Sequence, residues 1–462
     1  MLRRRLKGNL IANIFLFASN IVVQVGSLPI FLYFWSKNVY GEWLILYSIP
    51  GYMALADAGI SSIAANEATM QLASGNVQAA KRTLHTAFGL LAAMSIILVL
   101  AAFVSNAFVP WRNVLNLRTV SSLDISRCIG ILAIYTVAGM AQMYYLAVYR
   151  ANDRFARCVY VIGFSRMAEV IGSAISLLLW NSFVGVAISI TAVRLLAAGV
   201  MHLDASRFAT IAGPGLRGFS WFEVKRTWQL SLGALAFPAG SAFYFQGMTL
   251  LVGRLLGPGQ VVVLNAVRIL TRSIPQIVAI LKNSTVPEFA VLFGRSDMNR
   301  MRKLNQLSIE IAALISVPSA LFLILAGPTI IGYWTHGALA VDRGLMILFL
   351  IGAVVNSLWN ICAGFLTGIN RHLQLAVFSC ALSIGSLAVA YYIVPFLGLA
   401  GIAWAMIGCE GMMLVLAVEM SCRLLGQSVS QFLKDIFLFE QTSEALRRQL
   451  LVPKTRHSPE KR

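Results

Sequence analysis

Apolar runs of about twenty residues recur from one end of this 462-residue chain to the other. A helix crossing the hydrocarbon core of a bilayer needs about 20 mostly apolar residues. Twelve stretches meet that length: 10–35, 42–66, 85–108, 127–149, 159–180, 182–203, 229–252, 261–281, 305–327, 343–366, 374–396 and 399–422. Backbone amides in hydrocarbon have to be paired within the chain, so only helices and closed barrels span a membrane. These runs are far longer than the roughly 10 residues of a barrel strand and do not alternate. The expected fold is all-α and polytopic, with about twelve transmembrane helices. Only 12% of the residues are charged, against about 25% in a soluble domain. That deficit excludes a soluble enzyme, a disordered chain and a fibrous one.

The formal charge of +19 follows from topology and not from nucleic acid, because cytoplasmic loops of membrane proteins collect Lys and Arg. With the N-terminus inside, most of the 37 basic residues fall in inside segments; Lys37, Arg112, Arg118, Arg127, Arg254 and Arg343 are left outside. Both termini are expected in the cytoplasm. The first run is read as an uncleaved helix, since it is too long for a signal-peptide core and no small-residue cleavage site follows. The six cysteines are scattered in apolar runs and read as packing residues. Trp35, Trp43, Trp111, Trp180, Trp221 and Trp334 lie near span ends and read as interface anchors. The stretch from Ser428 to Phe439 reads either as a short interfacial helix or as part of a solvated tail.

The two halves look related. Leu28-Pro-Ile-Phe…Ser36-Lys-Asn-Val-Tyr40-Gly41 lies just before span 2, and Leu250-Leu-Val-Gly-Arg-Leu-Leu-Gly257-Pro-Gly-Gln-Val261 holds the same place before span 8, at an offset of about 221. Asn152-Asp-Arg154 precedes span 5 as Asn370-Arg371 precedes span 11, and Gly185-Val-Ala187 opens span 6 as Gly401-Ile-Ala403 opens span 12. Six spans per copy keep both copies in the same orientation, so the repeats are parallel and enclose a central cavity. The expected organisation is a six-helix bundle over 1–203, a cytoplasmic linker at 204–228, a second bundle over 229–422 and a basic tail at 423–462.

Pro29…Tyr40-Gly41-Glu-Trp43…Tyr52…Asp57-Ala-Gly59, with Gly368-Ile-Asn-Arg371 and Pro395-Phe-Leu-Gly398-Leu-Ala-Gly401, resembles the bacterial polysaccharide flippases. These are O-antigen and exopolysaccharide translocases of the multidrug/oligosaccharidyl-lipid/polysaccharide exporter superfamily. The resemblance implies a bacterial inner-membrane protein that flips an undecaprenyl-pyrophosphate-linked oligosaccharide to the periplasmic leaflet. It also implies polysaccharide polymerase machinery as a partner, and spans 1, 2, 7 and 8 lining the cavity. No catalytic residue, metal or cofactor is expected.

Ionisable residues at membrane depth are costly, and each is a functional hypothesis. Arg166 and Glu169 share a face of span 5, and Glu169 and Arg194 of span 6 lie at similar depth. They read as an intra-bundle cluster of compensating charge, or as cargo contacts. Asn265, Arg268 and Arg272 share a face of span 8, where no acid is present. The two guanidiniums suit a pyrophosphate, which they can grip bidentately; the other reading pairs them with Glu410 or Asp57. Asp57 is either a latch to Arg272 or a cap on a helix break at Ala58-Gly59. Asp57, Glu310 and Glu410 are candidates for gating or for H+ or Na+ coupling. The competing functions are a cation-coupled drug exporter of the same superfamily and a membrane polysaccharide polymerase or ligase. The short loops disfavour the second of these, and the span 8 arginines disfavour the first.

Overall fold

The computed structural model describes residues 2–208, 215–369 and 371–437. Among them the chain is helical and contains no strand. The helices are α1 (Leu2–Phe34), α2 (Lys37–Met53), α3 (Ile60–Ala73), α4 (Val77–Phe108), α5 (Trp111–Val114), α6 (Ser122–Ala151), α7 (Phe155–Leu179) and α8 (Phe183–Phe208). There follow α9 (Trp221–Ala242), α10 (Met248–Leu255), α11 (Pro258–Gly294), α12 (Met298–Trp334), α13 (Arg343–Gly368), α14 (Leu373–Leu397), α15 (Leu399–Leu425) and α16 (Val429–Phe437). A 3-10 turn, Ala54–Asp57, lies between α2 and α3, and a π-helical turn, Phe243–Gly247, joins α9 to α10.

Among the described residues eleven helical stretches are long and apolar enough to cross a membrane, and there are twelve spans if α2 and α3, bent by 41° at their break, count as one. The chain is an all-α, multi-pass membrane protein. α11 and α12 have 37 residues each, about 55 Å at 1.5 Å per residue. They therefore run well past a hydrocarbon core of about 30 Å. The apolar runs at 261–281 and 305–327 mark only their middles.

Two compact units form. One holds the chain up to Ile269 with Thr329–Val341 and Ser379–Ala405. The other holds Leu270–Pro328, Asp342–Phe378 and the chain from Met406 onward. In the first unit α6 is packed by α2, α3, α4, α7 and α8, and α1 packs on α7. Ile125, Ile129, Leu132 and Tyr149 of α6 are fully buried. In the second unit Gly368 of α13 meets α11 so closely that an added Cβ would lie 2.7 Å from the Val286 carbonyl oxygen. Phe289 and Phe365 pack edge to face beside it. Arg302 of α12 donates from Nε to the Leu425 carbonyl at 2.6 Å, fixing α12 to the end of α15.

Two of the tryptophans read as interface anchors are core residues. Trp35 and Trp43 are buried in an aromatic cluster with Phe31, Tyr40, Tyr47 and Phe183. The Trp35 indole donates to Asn181 Oδ1 at 2.7 Å. A buried indole needs a partner for its N–H, and the α7–α8 turn supplies it. Trp180 and Trp221 are exposed as anchors would be. The tail helix α16 is formed, with Phe432 buried. The basic residues beyond Phe437, and Asn370 of the second-half motif, lie outside the described residues.

Candidate functional site

The first unit contains the charge cluster built on α6, α7 and α8. A short turn makes α7 and α8 antiparallel neighbours, so Glu169, ten residues before the end of α7, comes level with Arg194, eleven after the start of α8. Arg194 Nε donates to Glu169 Oε1 at 3.0 Å, with both side chains largely buried. Tyr135 of α6 donates to Glu169 Oε2 at 3.1 Å, and its ring carries the guanidinium, 3.8 Å from centroid to Cζ. Tyr47 of α2 bonds the Tyr135 hydroxyl at 2.9 Å. Four helices are thus tied by one hydrogen-bonded chain, and the carboxylate has donors on both oxygens. Arg166 is exposed one turn before Glu169 and takes no part in the ion pair.

Asp57 ends the 3-10 turn. Ala58 and Gly59 both have positive φ, 47° and 74°, and the chain restarts as α3. The Asp57 carboxylate accepts from Ser61 Oγ at 2.5 Å and from the backbone N–H groups of Gly59 and Ser61. This is the geometry of an N-terminal cap, which satisfies amides that the break would leave orphaned.

On α11 the two arginines have different surroundings. Arg268 is 7% exposed. One terminal nitrogen donates to the Phe245 carbonyl at 3.1 Å and to Thr249 Oγ1 at 3.0 Å. Phe245 lies in the π-helical turn, where the widened ladder turns carbonyls away from their usual partners; Thr249 Oγ1 also donates to it, at 2.8 Å. Pro238, which removes an amide donor, precedes the turn. Arg268 therefore belongs to the wall that holds this turn. Arg272, one turn further along α11, is exposed, and Asn265, one turn earlier, is half-buried. Tyr52 of α2 packs edge to face on Phe243 of the π turn, and Gln246 lies against Gly51.

The second unit holds a polar chain across three helices. Glu410 of α15 is 5% exposed, and its Oε2 accepts from Asn356 Nδ2 at 2.9 Å and Trp359 Nε1 at 2.5 Å, both on α13. Asn360 Nδ2 donates to Asn356 Oδ1 at 3.0 Å, and Lys282 Nζ of α11 donates to Asn360 Oδ1 at 3.0 Å. Every donor points from the ammonium toward the carboxylate, so two amides link the cation to the anion. Gly364 leaves room for the Lys282 stem, since a Cβ there would lie 2.9 Å from Lys282 Cγ. Glu310 of α12 is fully buried elsewhere in this unit. The sequence alone gives Asn356, Trp359 and Asn360 no role and puts Lys282 in an inside loop. Their signal was Asn356-x-x-Trp359-Asn360 within an apolar run, three polar-tipped residues on one helical face. Among the described residues no group of three His, Cys, Asp or Glu could hold a metal ion.

No protein-family model and no curated protein matches the chain. Solved structures do. A multidrug resistance MATE family transporter of the MOP superfamily, in an inward-facing conformation, aligns with a TM-score of 0.73 at 13% identity, over 90% of this chain and 95% of that one. The lipid II flippase MurJ, in an inward closed conformation, aligns at 0.69 and 11% identity, over 96% of this chain and 100% of the other. A MOP superfamily transporter from Pyrococcus furiosus, described as having a binding pocket of reverse polarity, aligns at 0.68 and 12% identity, over 91% and 95%. The chain has the fold of these transporters.

Proposed function

We propose that this chain is a flippase for an undecaprenyl-pyrophosphate-linked oligosaccharide, working by alternating access between two parallel six-helix repeats, 1–203 and 229–422. In this reading both termini are cytoplasmic, the membrane is the bacterial inner membrane, and the cargo is passed to polysaccharide polymerase machinery. The observation that carries it is Arg272, an exposed residue on the membrane-spanning helix α11. An arginine at the centre of a membrane helix costs about 2.5–3.5 kcal/mol on insertion scales. A diphosphate is the ligand whose oxygens match its planar fork. Arg268 positions α11 against the π turn, and Asn265 adds an amide donor on the same face. The fold is shared with a protein described as a lipid II flippase. Glu410, Glu310 and Asp57 are the acids we assign to H+ or Na+ coupling.

The second reading, cation-coupled multidrug export, is favoured by the MATE neighbour. A cationic drug gains nothing from Arg272, so the two readings separate on the sign of the ligand. The test is thermal stability of the purified protein with a short-chain polyprenyl diphosphate. A ligand at ten times its Kd stabilises by about 1.4 kcal/mol. Wild type is expected to gain this and Arg272→Ala to lose it. Arg268→Ala is expected to be less stable before any ligand is added. Stabilisation by a lipophilic cation and none by the diphosphate would replace the flippase with the exporter.

A further inference from the structure

With both termini cytoplasmic, six basic residues are left on the outer side, where the charge bias of membrane proteins leaves few. Four of them, Lys37, Arg112, Arg118 and Arg254, come from three separate stretches of the chain and gather in the first unit. The short helix α5 and the 115–121 loop are their common ground. Arg112 donates from Nε to the Leu117 carbonyl at 3.4 Å and from Nη2 to the Arg118 carbonyl at 3.1 Å. Arg254, at the end of α10, donates from Nη1 to the Asn113 carbonyl at 2.8 Å, and Asn116 Nδ2 donates to the Arg254 carbonyl at 3.4 Å. Lys37 joins from the first turn of α2: a Cβ at Gly259, just beyond Arg254 in the chain, would lie 3.6 Å from Lys37 Cε.

Acids would ordinarily answer such a cluster. Among the described residues none of these four cations has a carboxylate at ion-pair distance. Asp124 pairs instead with Arg127. Glu42 of α2, 1% exposed, accepts from Arg118 N at 2.7 Å, Thr119 N at 2.9 Å and Thr119 Oγ1 at 2.7 Å, so it fastens the loop from beneath. Four cations over one buried carboxylate leave an excess of three positive charges. Arg112, Arg118 and Arg254 are exposed, and Lys37 is half-buried. A guanidinium has five N–H donors; the carbonyls take two from Arg112 and one from Arg254. Those carbonyls also orient the two guanidiniums in advance, which lowers the entropy lost on gripping an anion. Tyr33 at the end of α1 and Phe108 at the end of α4 are more than 80% exposed, at 83% and 81%. Exposed aromatic rings at span ends mark the headgroup level of a bilayer, and the four cations lie at these same ends.

We propose that this cluster binds the diphosphate headgroup of a polyprenyl lipid in the outer leaflet, where the cargo stands once it has crossed. The proposal rests on the flippase reading above, and its residues are separate from Arg272, which belongs to the second unit. A diphosphate diester carries two negative charges and offers oxygens to several guanidinium forks at once; phosphatidylglycerol carries one charge. Held at this surface, the flipped headgroup is kept from re-entering the transporter.

The test is maleimide labelling of Asn113→Cys, an exposed position of α5, in the full-length chain in non-ionic detergent, measured above the labelling of the native thiols. A short-chain polyprenyl diphosphate is expected to slow labelling roughly fivefold, and by less at high salt, which screens exposed charges. Arg112→Gln, Arg118→Gln and Arg254→Gln combined are expected to abolish the protection. Lys37→Gln, which breaks no hydrogen bond of the loop, is expected to raise the half-protecting concentration several-fold even if the triple variant fails to fold. Arg272→Ala is expected to keep the protection. No protection at Cys-substituted position 113, or undiminished protection in Lys37→Gln, would overturn the site. Equal protection by phosphatidylglycerol or by inorganic pyrophosphate would overturn the assignment to a diphosphate lipid. Protection without Arg272-dependent thermal stabilisation would leave the outer site standing and remove the Arg272 assignment; stabilisation through Arg272 without protection would do the reverse.

Discussion

Glu169→Ala is the sharpest perturbation of the first unit. It removes the partner of Arg194 from a site where the two side chains are 10% and 15% exposed. It also strands the Tyr135 hydroxyl, though Tyr47 still reaches it at 2.9 Å. Removing one member of a buried ion pair costs about 3–5 kcal/mol, mostly from the charge left without compensation. Removing both members and filling the space with apolar atoms is often neutral or mildly stabilising. The cycle of Glu169→Ala, Arg194→Met and the double variant is therefore expected to show strong coupling. Each single change should destabilise by about 3 kcal/mol or more, and the double by less than either. Unfolding by SDS titration in mixed micelles, followed by tryptophan fluorescence, measures all four corners. If the double variant loses the sum of the singles within about 0.5 kcal/mol, as independent sites do, the cluster is not a compensating pair and the physical account of it fails. Arg166→Ala, exposed and outside the pair, serves as control and should change stability by under about 0.5 kcal/mol.

Asn356→Leu takes the Asn356 donor from Glu410 and breaks the amide link to Lys282; a loss of about 1.5–3 kcal/mol is expected in the same titration, as for hydrogen bonds to charged groups. His372, between α13 and α14, has its pKa lowered by burial and by the nearby Lys282 ammonium. A base held below its ordinary value of 6.5 stays neutral in the folded protein while the unfolded chain takes up a proton. Stability should thus be level above pH 6.5 and fall as the pH drops from there toward the lowered value. His372→Gln should flatten that part of the profile, and an unchanged slope would count against it.

The α7–α8 cluster was legible because depth along two consecutive antiparallel helices is simple arithmetic, and no third element is needed to bring Glu169 to Arg194. The break at Ala58-Gly59 was legible for a local reason: a glycine beside a small residue admits positive φ, and an aspartate before it can cap. Lys282 was not. The apolar run ends at 281, so hydropathy put the lysine in a loop, whereas α11 continues to Gly294 and holds it against α13. Trp35 and Trp43 misled because a tryptophan at a span end serves equally as an anchor or as a core residue, and only the neighbouring Phe183 and Asn181 decide. The difference between Arg268 and Arg272 was hidden for the same reason. Their spacing gives one face of α11, but the carbonyl that engages Arg268 belongs to another helix and is offered by a π turn.

That turn also sets how the gene can change. Five residues, Phe243–Gly247, occupy a wide turn between two ordinary α-helices. Deleting one of them would let α9 run into α10 as unbroken α-helix with every amide paired. A π turn takes about one residue more than the 3.6 of an α-helical turn, so the same deletion would leave the stretches before and after it facing almost as they do now. What it would remove is the widened ladder that offers the Phe245 carbonyl to Arg268. Across a family of such chains, a one-residue gap at this point marks the loss of that carbonyl and leaves length, hydropathy and helical face almost untouched.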